Sequence, residues 1–359
     1  MQENKNINQD YNQYYENNIC KNCGQAYIDT SESKQSVLCT KCREQQIRYP
    51  IPKIFIGIAI ILLLLVGSSL FKFPKIFKSY KVYATAKENV KKGYVTDTLF
   101  GLEDLLKQYP DNKSIAVTIS DIAMESGRYD YAGYIINNYL ANKESDKSTC
   151  DKINGYTKYI ELYYNTCDSY GEIINNLDKN MNSYEATEYV KNKLKSLLNS
   201  PNQDKALINY YLSGVSSNTT EAKEYIKKSI EQDDKFLEAY IKLANILRHE
   251  KDFEGAKDIY NKVLYKEKDC VGAIRGLAIV EMLEGNKKEA VHLAKSAYDI
   301  NKDELYVTET LIIALTENGQ VEEANKFKEE YISSGNELDT DTLEYLNGKI
   351  TLNDYYVGE

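Results

Sequence analysis

The sequence predicts an all-α chain: a solenoid of helical hairpins, preceded by one transmembrane helix and a small four-cysteine domain. Three observations carry that prediction. Residues 54–71 form an uncharged run in which thirteen of eighteen side chains are Ile, Leu, Val or Phe. Four cysteines stand ahead of it in two CxxC pairs. Beyond it, small and apolar residues recur at an interval of thirty-four.

Residues 1–18, MQENKNINQDYNQYYENN, are polar and rich in Asn and Gln. They read as a disordered tail, because such a segment buries too little apolar surface to offset chain entropy. Cys20, Cys23, Cys39 and Cys42 follow with the spacing C-x2-C-x15-C-x2-C. Each CxxC turn presents two thiolates from one knuckle, and two knuckles close a tetrahedral site. Gly24 follows the first pair, where a tight knuckle needs a positive φ. The intervening QAYIDTSESKQSVL can supply a small hairpin. Residues 19–44 are therefore expected to be a zinc ribbon holding structural Zn2+, with no open coordination position for catalysis. The segment resembles the short N-terminal zinc ribbons found ahead of membrane spans in many bacterial proteins. Ribbons also bind nucleic acids elsewhere, but only Lys21, Lys34, Lys41, Arg43 and Tyr27 are available here, so nucleic acid is an unlikely partner.

The apolar run is expected to be a membrane span over residues 53–73. At ~1.5 Å per residue such a helix covers roughly 27 Å, enough for a bilayer core when Lys53 and Lys72 snorkel. Its thirteen large apolar side chains contribute roughly −4 to −8 kcal/mol of insertion free energy, against a cost of ~3 kcal/mol for one central charge. A cleaved signal sequence would sit within about the first 30 residues. After the span, Lys72, Lys75, Lys78, Lys81, Lys87, Lys91 and Lys92 mark residues 74–92 as a basic juxtamembrane stalk. Those lysines would meet anionic head groups or wall polymers, or form a solvated face. Residues 1–71 hold seven Lys/Arg against six Asp/Glu, so the net charge of −9 lies almost wholly beyond the span.

Both flanks of the span are lysine-bearing, and the positive-inside rule does not orient it. Thiolate ligands persist in a reducing compartment. Residues 1–50 are accordingly expected in the cytoplasm and the repeats outside, in a single-pass protein of the cell membrane.

The interval of thirty-four is carried by Ala256, Ala290 and Ala324, by Leu243, Leu277 and Leu311, and by Gly285 and Gly319, with Lys251 in the equivalent place. A small residue lets two helices approach closely, and the Gly position makes the turn between them. These residues resemble the tetratricopeptide repeat over 205–335. In KFLEAYIKLANILRHEKDFEGAKDIYNKVL, Tyr240 takes the place of the first aromatic residue. Leu243, Ala244 and Leu247 then form the first-helix face, and Ala256, Tyr260 and Val263 the second. Ile274, Leu277, Ala278, Gly285, Ala290 and Ala297 match in the next unit; the last keeps Leu311, Leu315, Gly319 and Ala324 but has Lys328 at an apolar position. Residues 80–200 are expected to be divergent repeats. Gly93, Thr98, Leu102, Leu105 and Pro110 precede Ile119, Ala123, Gly127, Ala132, Ile136 and Tyr139. Residues 150–180 read as one long helix, and 184–198 as another. Residues 336–359 read as a capping helix and a frayed end. The resemblance implies one continuous right-handed solenoid.

No HExxH, GxxxxGK[ST] or GxSxG motif occurs, and His249 and His292 fall in separate repeats with no nucleophile implied beside them. The chain is expected not to be an enzyme. The resemblance implies binding of a protein or peptide along the first helices, at Ile241, Asn245, Arg248, Arg275, Ile279, Met282, Glu309 and Ile313. Of the family's carboxylate-clamp positions only Asn245 matches; Ile241, Gly276, Tyr306 and Thr310 occupy the others, which argues against recognition of a chaperone C-terminus. Two functions follow. One is a membrane-anchored scaffold binding a protein or peptide; the other is a membrane-tethered regulator whose cytoplasmic ribbon contacts transcription machinery or nucleic acid. Cys150, Cys167 and Cys270 are expected to pack as small apolar residues, the alternative being a Cys150–Cys167 disulfide.

Overall fold

The computed structural model describes residues 18–28, 36–47, 52–141 and 143–358. The expected tail falls outside them apart from residue 18, as do residues 29–35 of the hairpin between the cysteine pairs. The described residues are helical, with one isolated antiparallel bridge, Ile19–Tyr27. The chain divides into two compact units, Met1–Phe77 and Lys78–Glu359.

In the first unit, helix α1 (Thr40–Ile47) starts directly after Cys39, whose carbonyl accepts from Arg43 N at 2.9 Å. Helix α2 (Lys53–Lys91) holds the apolar run and has Pro74 inside it. Leu63 and Leu64 are 71% and 67% exposed, and the other large side chains between Ile54 and Val66 are similarly open. Among the described residues no single helix is long and apolar enough to cross a membrane, and one bent pair, Ile54–Ser68 with Phe73–Lys91, meets the length and composition together. Proline has no N–H for the carbonyl four residues before it, and its ring crowds that carbonyl, which bends a helix there. The single span expected at 53–73 is therefore not shown.

The second unit opens with the end of α2, and here the expected stalk turns out differently. Ala86 is buried, and Val82 and Val90 pack with it against Leu99, Leu102 and Ile119. Residues 82–90 are thus core of the first repeat, because their apolar side chains recur at i, i+4 and i+8 on one helix face. Thereafter come α3 (Val95–Gln108), α4 (Lys113–Glu125) and α5 (Tyr129–Ile135), which runs into a π-helical turn, Ile136–Leu140. Next are the 29-residue α6 (Lys147–Asn175) and α7 (Ser183–Leu197), whose start is fixed by a capping box between Asn182 and Glu185. These are the two long helices expected between 150 and 198. The hairpins with the period of thirty-four follow: α8 (Lys205–Gly214) with α9 (Thr219–Gln232), α10 (Leu237–His249) with α11 (Phe253–Lys266), α12 (Val271–Leu283) with α13 (Lys287–Ile300), and α14 (Val307–Glu317) with α15 (Val321–Ser333). First helices stack on first helices, α10 on α12 and α12 on α14. Two short helices end the chain, α16 (Thr340–Leu346) and α17 (Leu352–Tyr356).

The turns inside the last three of these hairpins share one construction. Asp252 N donates to Leu247 O, Asn286 N to Glu281 O and Gln320 N to Leu315 O, at 2.9, 2.8 and 2.9 Å. This six-to-one bond closes a helix when the residue before the donor is left-handed. Gly285 and Gly319 supply that residue with φ of 84° and 75°, and Lys251 takes the same conformation at 62°. Beyond the turn, Ala256, Ala290 and Ala324 are buried where the paired helices meet.

Between α11 and α12 the packing is tight at Gly276. A Cβ built there would stand 2.2 Å from Cζ of Tyr260, a fully buried ring. Tyr260 is held in place by donating to Asn245 Oδ1 at 2.6 Å. Alanine normally stabilises a helix interior over glycine by about 1 kcal/mol. At Gly276 the sign should reverse: Gly276→Ala is expected to destabilise by about 1 to 3 kcal/mol through overpacking, read as a lower midpoint in chemical denaturation.

Candidate functional site

The first unit contains one candidate centre. The sulfurs of Cys20, Cys23, Cys39 and Cys42 all lie within 4.8 Å of one another, and the four could hold a metal ion. Two backbone turns set this up. Gly24, at φ 67°, lets Gly24 N return to Cys20 O at 2.9 Å and folds the first knuckle; the start of α1 carries the second. Although desolvation opposes it, the N–H groups of Cys39, Cys23 and Asn22 lower the Cys20 thiol to about 6. The N–H groups of Gln25 and Ala26 lower Cys23. Asn22 Nδ2, at 3.4 Å, favours the Cys42 thiolate, but the sulfurs of Cys39, Cys20 and Cys23 together with burial push it up to about 11. Four sulfurs this close cannot all ionise without a cation among them, and a coordinated metal deprotonates such thiols outright. The donor set fits a soft or borderline metal in a closed site. All seven cysteines of the chain are free thiols. Cys270 is buried as expected, which pushes its thiol up to about 12, but Cys150 is exposed and Cys167 lies 3.7 Å from the Tyr211 hydroxyl.

In the second unit, contacts distant in sequence close the repeats on themselves. Asp269, between α11 and α12, accepts from Val95 N at 2.9 Å and Asp97 N at 2.8 Å, capping α3 from 174 residues away. Lys268 N donates to Gly93 O at 2.8 Å, and Glu267 accepts from Thr96 Oγ1 at 2.7 Å and Arg128 Nη2 at 2.5 Å. Tyr129 donates to Asp233 at 2.8 Å. Inside this closure lies a cavity of about 290 Å³ lined by Phe100, Arg128, Tyr131, Glu238, Ile241, Glu267 and Glu304.

The eight residues expected to form a partner surface are not presented as one. Ile241, half-buried, packs against the core of α10 and α11 and also lines the cavity above, and Asn245 is taken up by Tyr260 and Arg248. Arg275 donates to Thr310 Oγ1 at 2.8 Å and lies over the Tyr306 ring. Arg248, Ile279, Met282, Glu309 and Ile313 are all buried. The physical reason is the end of the chain: Leu338 and Tyr356 enter the same apolar cluster as Ile279, Met282 and Ile313. Glu309 accepts from Asp339 N at 2.7 Å and Thr342 Oγ1 at 3.2 Å, His249 Nδ1 donates to Val357 O at 3.0 Å, and the Tyr356 ring lies under Arg248. Residues 336–358 thus cover the face expected to bind a partner. The sequence held one signal of this: Glu309 stands among apolar neighbours in VTETLIIALTE, where a buried carboxylate needs donors. Asp339, Thr342 and Tyr356 carried no comparable mark.

No family model matches the chain, and no curated protein matches it. Solved structures with a similar helical course exist. A crystal structure of MamA is 16% identical over 43% of this chain and 94% of its own, with a TM-score of 0.34. Yeast Tom70 is 12% identical over 75% of this chain and 68% of its own, at 0.34. YrrB, described as a TPR protein with an unusual peptide-binding site, is 12% identical over 57% and 95%, at 0.30. At these scores the likeness says nothing of what this chain binds, and the helical-repeat character rests on the turns and columns described above.

The closure itself is testable. Asp269→Ala leaves the buried Val95 N–H without its acceptor, and a loss of about 1 to 3 kcal/mol in denaturation is expected. Asp269→Asn keeps one acceptor oxygen and should lose less.

Proposed function

We propose that the protein is a non-enzymatic, membrane-anchored scaffold that binds a protein or peptide partner through its helical repeats, with structural Zn2+ in the four-cysteine centre. The observation that carries the reading is the inner wall of the repeats, where Tyr131, Arg128, Glu238, Glu267 and Glu304 from separate hairpins converge on one cavity. A space of about 290 Å³ takes one or two side chains of a partner, and repeats that each add a few such residues suit an extended ligand. Aromatic and carboxylate groups around a single guanidinium favour a segment that carries positive charge.

The anchoring part rests on residues 54–66. Large apolar side chains as open as Leu63 and Leu64 lose about 1.5 to 3 kcal/mol each in water relative to burial, and a lipid core removes that penalty. With the thiols in a reducing cytoplasm, the repeats would lie on the outer side. The zinc part rests on the four converging sulfurs, two of them already biased towards thiolate.

Two experiments test the reading. The full-length chain purified under reducing conditions should contain about one Zn2+ and lose it in Cys39→Ser; a wild-type chain without metal and with all its thiols titratable would sink the zinc assignment. Peptides selected on the full-length chain should bind with Kd in the micromolar range and weaken about tenfold on Glu238→Lys. Selections that enrich nothing, or peptides indifferent to that substitution, would remove this wall as the binding surface.

A further inference from the structure

We infer that residues 336–358 are an intramolecular ligand of the repeats, and that the groove they fill is a docking surface for a partner of the same chemistry: a short helix bearing two adjacent aromatic residues followed by an apolar one. The inference rests on the scaffold reading and adds a second surface of the same repeats, what occupies it and what it accepts.

A segment that merely caps a solenoid packs against the last hairpin. This one passes beyond it. Helix α16 meets α14, α17 meets α12, and Val357 O reaches His249 at the end of α10, 108 residues upstream. Its main chain is gripped by side chains of the repeats, Glu309 taking the Asp339 N–H and His249 Nδ1 giving to Val357 O. A peptide ligand is held in the same manner, with main-chain bonds for affinity and side-chain pockets for selection. The pocket here takes the Tyr356 ring, 4% exposed, with Tyr355 edge-on to it at 4.5 Å.

The occupant also has the marks of a displaceable one. The Tyr356 hydroxyl and Arg248 Nε are buried with no hydrogen-bond partner. On release the Tyr356 hydroxyl regains water, and a competing segment that gives Arg248 Nε an acceptor gains an interaction that the resident segment forgoes. The joint before it, residues 332–337, is exposed and contains Gly335 at φ 88°, so nothing buried ties it down. Helices of seven and five residues do not persist alone, and the released segment would lose its structure.

The test uses the full chain with a protease recognition sequence inserted after Gly335, and a fluorescent synthetic peptide of residues 336–358 as probe. Before cleavage the resident segment should keep the probe out. After cleavage it should exchange, and apparent affinity should rise at least about tenfold, as expected when the vacant form goes from under a tenth of the population to most of it. A probe with Tyr356→Ala should lose about tenfold or more. The uncut full-length Tyr356→Ala chain should admit the wild-type probe, which checks the idea without any cut. A cleaved segment that stays bound through dilution and gel filtration while no probe enters would overturn it, making residues 336–358 ordinary core. So would a Tyr356→Ala probe that binds as well as wild type. A tail peptide that never enters the cleaved chain, while the selected peptides still bind and still weaken on Glu238→Lys, would overturn this inference alone and leave the scaffold reading standing.

Discussion

The close approach of paired helices at a column of small residues is the constraint on which the second unit depends. Ala256, Ala290 and Ala324 are buried at successive turns of the period, and Gly276 lets the Tyr260 ring lie flat against the next hairpin. Larger side chains there would spread the helices, and the inner faces would no longer stack first helix on first helix. Everything later in the structure uses that stacking. The cavity wall needs Glu238 and Glu304 brought round from different hairpins, and the groove for the chain end needs α10, α12 and α14 side by side.

Two buried carboxylates then fasten what the repeats leave open. Asp269 takes the first amides of α3, and Glu309 takes an amide and a hydroxyl from the end of the chain. Each supplies acceptors for groups that would otherwise be buried unpaired, and so each makes a long-range contact specific rather than merely adhesive. The result departs from a simple solenoid in which every hairpin touches only its neighbours.

The period of thirty-four was legible in the sequence because a column of Ala or Gly has one local cause, the spacing of two helices. Lys251 belongs to the turn column although it is not glycine, and its left-handed φ shows that register outweighed residue preference there. The cysteine centre was legible for the same local reason. The basic stretch after the apolar run misled, since its lysines hid Val82, Ala86 and Val90 on the opposite face of the helix. Of the covering of the inner face, the sequence showed only Glu309 among apolar neighbours, and not what meets it. The covering depends on Glu309 meeting Asp339 and on His249 meeting Val357, and pairings across 30 and 108 residues leave no periodic trace. Five residues named for a partner surface are buried, and the chain's own end packs into the same cluster as Ile279, Met282 and Ile313.

The cap on α3 has a consequence for how the chain comes to be folded. Val95 and its acceptor Asp269 are 174 residues apart. At about 5 to 20 residues per second, the ribosome makes the acceptor some 10 to 35 seconds after the donor. Local hairpins form in far less than a second. For about half of its synthesis the first repeat therefore exists with an open helix end, and the timing of this closure is set by translation rate rather than by any local step.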